Sequence, residues 1–295
     1  MHAYAHLYTS AVKKPQWITV GGALILLAIL YFFGRTTPEK KAVKSANAEG
    51  TDSVITIDSI LIQAKRTLPA DQVARVDALE HSVVRGDVNE QQLKLYHQLA
   101  HFWRDTGQLF EPYAWYQAQA ARLEKSEKSL TFAAHLFLQN LRGENDPYLR
   151  NWKALQAKDL FERSLRINPN NDSSTVGLGA CYIFGNMGAT PMEGILKVRS
   201  IAEKDSTNIF AQEVLGHGSM LSGQYDRAIN RFESVYRLAD KNNAVQLEAC
   251  LMLAEIYERK GNASSAIAWY EKSLPLINNV QLKQEVEKRI KELER

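Results

Sequence analysis

LGHGSMLSGQYDRAINRFESVYRLADKN, from Leu215 to Asn242, and LAEIYERKGNASSAIAWYEKSLPLINN, from Leu253 to Asn279, are two renderings of one pattern. At a constant offset of 38 residues they superpose Leu215 on Leu253, Gly216 on Ala254, Gly223 on Gly261, Ala228 on Ala266, Ile229 on Ile267 and Phe232 on Tyr270. Self-similarity at a period of this size marks a stacked repeat, in which no unit buries its apolar face alone. Apolar residues recur at helical spacing on both sides of the glycine, so each copy reads as helix, turn, helix. Gly216, Ala254, Ala228 and Ala266 let the two helices approach closely, while Tyr225, Phe232, Tyr257 and Tyr270 fill the space between neighbours. Gly223 and Gly261 supply turn conformations that a Cβ resists.

The same spacing extends upstream. Leu99, Ala100, Trp103, Gly107 and Tyr116 form an earlier copy, with Pro112 at the usual alanine, so that its second helix is expected to begin there. AKDLFERSLRINPNN supplies Ala157, Phe161 and Pro169; its first helix lies near Ser129 to Asn140, across an insertion around Gly143 to Leu149. Leu178, Gly179 and Tyr182 open another copy, whose turn is stretched through GNMGATPMEG and which has Gly194 at the alanine position. These residues resemble the tetratricopeptide repeat, in which a Leu-small pair, an aromatic, a turn glycine, an alanine and a second aromatic follow in order. The resemblance implies an all-α fold, a tetratricopeptide-like helix-turn-helix solenoid coiled as a right-handed superhelix, of about five units over residues 93–278. A helical pair is expected over 54–92, from Ile57, Ile60, Leu61, Ala64 and Leu68 behind Thr56 or Asp58, and then Val73, Val76, Leu79 and Val83 after Pro69. QLKQEVEKRIKELER reads as a capping helix within 279–295, through Leu282, Val286, Ile290 and Leu293.

Ahead of the repeats, Trp17 to Phe33 reads WITVGGALILLAILYFF, seventeen residues without a charge. At 1.5 Å per residue it reaches roughly 26 Å, enough to cross a bilayer once. Trp17 at one end and Tyr31, Phe32 and Phe33 at the other match interfacial aromatic belts. A cleaved signal would end in a small-x-small site, whereas this run ends in aromatics. The expected order is therefore a short tail over 1–16, a transmembrane helix over 17–33, and a flexible linker over 34–53, whose one large apolar residue is Val43. Lys13 and Lys14 against Arg35, Lys40, Lys41 and Lys44 point to a cytoplasmic C-terminal part, whereas a tail this short usually stays inside. The expectation adopted is a single-pass protein of a bacterial inner membrane with its repeats outside the cytoplasm.

Charge separates these parts. Residues 1–50 hold six basic and two acidic side chains, which leaves 30 basic against 31 acidic in the rest. A nucleic-acid binder concentrates positive charge on its folded part, so none is expected as a partner. The cysteines, Cys181 and Cys250, sit in separate apolar runs and read as buried small residues.

Chemistry-bearing motifs are few. His97 and His101 share a helix face at i, i+4, the spacing of an HExxH zinc site, yet Gln98 replaces the Glu that would act as base, and no third ligand is evident. A metal-dependent hydrolase using His97 and His101 is thus the distant alternative; no catalytic residue, metal or cofactor is expected. By resemblance, partners bind the inner face of each first helix. The positions implied are Lys94, His97, His101 and Arg104; then Val176, Ala180 and Ile183; then Phe210, Glu213, His217 and Met220; and last Leu251 and Glu255. The Lys and Asn pattern that clamps a peptide carboxylate in co-chaperone repeats is absent, since His97 and His101 stand there. The implied function is a membrane-anchored scaffold or adaptor for a protein or peptide client, similar in layout to repeat proteins at secretion translocons or envelope-assembly machinery; a cytoplasmic-facing signalling adaptor is the alternative.

Overall fold

A computed structural model describes residues 55–85, 89–185, 191–240 and 242–295. The expected tail, transmembrane helix and linker lie outside the described residues, as does the middle of the GNMGATPMEG turn. Among the described residues, which form thirteen helices and one 3₁₀ turn, no helix is long and apolar enough to cross a membrane. The order is α1 (Ile57–Lys65), α2 (Ala70–Arg85), α3 (Asn89–Asp105), α4 (Phe110–Glu124), α5 (Glu127–Gln139), α6 (Pro147–Ile167), α7 (Asp172–Phe184), α8 (Pro191–Lys204), α9 (Ile209–Leu221), α10 (Tyr225–Leu238), α11 (Asn243–Arg259), α12 (Ala263–Ser273), the 3₁₀ turn Leu274–Leu276, and α13 (Val280–Leu293).

Consecutive helices pack as antiparallel neighbours: α3 on α4, α5 on α6, α7 on α8, α9 on α10 and α11 on α12. First helices also touch directly, α5 on α7 and α7 on α9, which sets them side by side as one row. Asparagines define where the later first helices and the last helix start, whereas Ser126 caps α5. The side-chain oxygens of Asn171, Asn208, Asn242 and Asn279 accept from the third backbone N–H of α7, α9, α11 and α13, at 2.8, 3.0, 3.3 and 3.1 Å. Each satisfies a donor that the helix itself cannot reach, worth about 1 kcal/mol. Thr56 does the same for α1 in a reciprocal box with Ser59.

Turns follow local chemistry. Gly223 and Gly261 take φ of +69° and +72°, closing the pairs α9/α10 and α11/α12. In the α3/α4 pair the left-handed residue is Gln108, at φ 51°, and Gly107 instead makes room for the Trp103 ring. Pro112 lies inside α4, two residues past its start, where a missing N–H costs nothing. Much of the expected insertion at 143–149 is the first turn of α6, because Asp146 caps Tyr148 at 2.8 Å and Pro147 opens the helix. Likewise α3 begins at Asn89, four residues ahead of the expected first repeat.

The apolar core is continuous within neighbours rather than central. One cluster joins α1 to α4 through Val76, Leu99, Trp103 and Tyr116; the largest runs from α4 to α9 through Phe137, Leu160, Phe161 and Val198; two smaller ones bind α10 to α11 and α12 to α13. Cys181 and Cys250 are free thiols buried in this core. The turn after α5 is pinned by Lys153, which is 4% exposed and lies 2.9 Å from Glu111 and 2.7 Å from Glu144. A buried ammonium needs such carboxylates, and here they fix the path of residues 140–146.

Candidate functional site: the row of first helices

That pinned turn places Arg142. Its guanidinium reaches past α7, donates to Nε2 of His217 on α9, and donates to Oε1 of Glu248 on α11 at 2.9 Å. One side chain thus ties the turn after α5 to two later first helices. His217 is largely buried, its ring edge-on to Phe232 at 4.9 Å and 6.4 Å from Phe184. Burial, then the Arg142 charge, push the imidazole down to about 3. Its Nε2 also lies 3.6 Å from Glu248, but a nitrogen that accepts from Arg142 holds no proton, so this approach is no ion pair.

Glu213, one turn before His217, is half-buried, and no hydrogen bond or ion pair to it is present among the described residues. Burial, then repulsion from Glu248, raise its carboxyl to about 7, with Arg142 acting weakly in the opposite direction. Phe210, one turn earlier still, lies 5.3 Å from the ring of His135 on α5. His135 is also edge-on to Phe161 at 5.3 Å, and its Nε2 is 2.9 Å from Ser173 Oγ on α7. Among the described residues no carboxylate orients this His–Ser contact, and burial lowers the imidazole. The row therefore offers apolar rings, one charged donor and two carboxyls.

The structure divides the sequence-derived candidates. Phe210, Glu213 and His217 come together on α9. His97, His101 and Arg104 form a separate exposed patch on α3: His97 lies 3.2 Å from Glu124, and Arg104 lies 2.7 Å from Asp105 and 2.8 Å from His101. Among the described residues no hydrogen bond or ion pair links that patch to α9. Among the described residues no group of three or more His, Cys, Asp or Glu could hold a metal ion. Ile183 packs against the largest core cluster and Met220 against the α10–α11 cluster. Glu255 bonds to Arg259 of its own helix at 2.7 Å. Sequence reasoning missed Arg142, Glu248 and His135. The 38-residue offset sets Glu248 on Phe210, a usable signal; Arg142 sits in a turn with no repeat equivalent.

Residues 247–278, which take in most of α11, all of α12 and the 3₁₀ turn, match the family model described as tetratricopeptide repeat. This unit is thus a tetratricopeptide repeat, within a chain whose described part is an all-helical array. No curated protein gives a significant match. Solved structures that resemble the chain include YrrB, described as a TPR protein with an unusual peptide-binding site, at 16% identity and TM-score 0.39, covering 72% of this chain and 99% of that one. MamA 41-end from Desulfovibrio magneticus RS-1 gives 18% and 0.41, covering 65% and 96%. A tetratricopeptide repeat protein from Parabacteroides merdae gives 15% and 0.37, covering 80% and 98%.

Proposed function

We propose that this chain is a scaffold that holds a protein or peptide segment along α5, α7, α9 and α11. Glu213 carries the reading: a half-buried carboxyl without a partner among the described residues, set in an open row beside Phe210 and the Arg142 bridge. A buried acceptor without a donor is costly, and an N–H supplied by a bound chain removes that cost. Phe210 adds an aromatic anchor, and Arg142, tied to His217 and Glu248, fixes register. Repeat solenoids present such rows as extended binding surfaces, which agrees with the repeat at 247–278.

The same proposal tethers the scaffold to a bacterial inner membrane through residues 17–33, with the repeats outside the cytoplasm, in envelope secretion or assembly. The uncharged run from Trp17 to Phe33 supports the tether. The four basic residues after it favour a cytoplasmic adaptor instead. Alkaline phosphatase fused after Arg295 separates the two: activity is expected, and a well-expressed inactive fusion reverses the sidedness.

The groove itself is tested in native membranes with a photo-crosslinking residue at position 213 and, as control, at Glu233 on α10. A discrete adduct is expected from 213 alone. Phe210→Ala should weaken capture by about 2 kcal/mol, roughly thirtyfold, with helicity retained. Equal adducts from both positions, or none from 213, would remove this face from consideration.

A further inference from the structure

A second opening lies on the other side of α9. Between α8 and α10 runs a cleft of about 960 Å³ floored by Gln212, Leu215 and Ser219. At about 100° per residue these side chains leave α9 roughly half a turn away from Phe210, Glu213 and His217. The cleft and the row of first helices are therefore different surfaces of the same helices.

Its walls are basic. Arg199 of α8 and Arg227, Arg231 and Arg237 of α10 line it, against a single carboxylate among the described residues, Glu203. Among the described residues none of the four guanidinium groups is in an ion pair. Arg227 donates to Gln224, Arg231 donates to Oε1 of Gln212 at 2.6 Å, and Arg237 donates to Ser234 Oγ at 3.2 Å. Arg199 has no partner among the described residues. Elsewhere the chain pairs this residue type readily: Arg104, Arg122, Arg142, Arg163, Arg259 and Arg289 each meet a carboxylate. Burial, and then the neighbouring Arg199, push the Arg231 guanidinium down, and Glu203 only partly opposes them. Like charges gathered around a cleft, with their hydrogen-bonding edges uncommitted to acids, form a site complementary to an anion.

The lining also selects the kind of anion. Among the described residues no aromatic ring borders the cleft, so bases of a single strand would find no aromatic stacking platform. Ile195, Leu215 and Leu238 give apolar surface between the arginines, and the surrounding serines and amides suit a peptide backbone. We infer that the cleft between α8 and α10 docks an acidic peptide segment of a partner protein, its Asp or Glu side chains on Arg199 and Arg231 and an interleaved large apolar side chain on Leu215. This surface is independent of the proposed groove, so the scaffold would hold two partners at once.

The test uses the full chain in detergent and a fluorescein-labelled twelve-residue peptide alternating Glu with Leu, followed by anisotropy at two salt concentrations. Saturable binding that weakens with salt is expected. Arg199→Glu, at an exposed position that holds nothing in the fold, should weaken it at least tenfold, and Arg231→Gln should do likewise, while Glu213→Gln leaves it unchanged. A peptide with Lys in place of Glu should not bind. Absent binding, or equal binding to the Arg199→Glu protein with its circular dichroism intact, overturns the proposal. Arginine-dependent binding of inorganic polyphosphate or an oligothymidine in preference to the peptide also overturns it, in favour of a phosphate-bearing ligand. Loss on Glu213→Gln would place the peptide in the groove instead.

Discussion

The pairs α7–α8 and α11–α12 solve one packing problem in two ways. In the second, Ala254 on α11 and Ala266 on α12 are both fully buried, and the turn closes through Gly261 in a left-handed conformation. In the first, the crossing is built from glycines. A Cβ on Gly194 would run into the carbonyl oxygen of Gly179 and lie 2.9 Å from Tyr182 Cβ, and a Cβ on Gly179 would lie 2.5 Å from Val198 Cγ2 and 2.8 Å from the Gly194 oxygen. Backbone therefore touches backbone in this unit, where the regular one buries an alanine methyl on each helix. The comparison teaches that this repeat conserves a close crossing rather than a turn length: the irregular unit lengthens the connection and tightens the contact.

Breaking the tighter crossing should have the largest effect. Gly194→Val must drive α8 off α7, at a cost of about 3 kcal/mol or more, read as a melting temperature lower by roughly 6–12 °C. Exchange protection should fall first in α7 and α8; an unaltered melt would show that the two backbones have slack. The regular crossing should yield less. Ala266→Leu is expected to cost about 1–3 kcal/mol by overpacking, with protection lost around Tyr257 and Tyr270 while α7 and α8 keep theirs. Loss spread evenly along the chain would contradict the separation of the two units.

Turn chemistry comes next. Gly261→Ala meets nothing within 4 Å, so its effect is purely conformational, about 1–2 kcal/mol for a left-handed residue with a Cβ. Gly143→Ala, equally open but not left-handed, serves as the silent control. If both substitutions melt alike, the positive φ at 261 is not what closes the turn.

The smallest effect lies on α9, between the two pairs, and depends on pH. With its carboxyl raised from 4.5 to about 7, Glu213 binds a proton more readily in the folded than in the unfolded chain, so stability falls as pH rises through that window. Glu213→Gln should therefore melt a few degrees higher than wild type at pH 8 and the same at pH 4. His217, lowered from 6.5 to about 3, acts with the opposite sign: stability falls as pH drops through its window. A Glu213→Gln gain that grows towards acid would reverse the assignment.

Much of this was legible in residues. Leu253, Ala254, Tyr257, Gly261, Ala266 and Tyr270 announce a helix-turn-helix unit because each position answers a local demand, whether close approach, space filling or positive φ. The asparagine caps were equally available, one at the start of each later first helix, and went unread because a single Asn also suits any turn. The extent of α6 was hidden by Gly143 and Pro147, which look like a loop until Asp146 is seen capping the helix.

The sequence by itself determined that the array is helical, how its later units repeat and which small residues its crossings use, since these depend on neighbours three, four or a turn away. Only the tertiary structure decided which polar side chains meet. Arg142 finds His217 and Glu248 across 75 and 106 residues of chain, His97 turns to Glu124, Met220 packs inward, and four arginines of α8 and α10 converge on one cleft. Long, flexible side chains carry no periodic signal of their own; their partners are set by how whole helices stack, and that information is spread over every contact in the core.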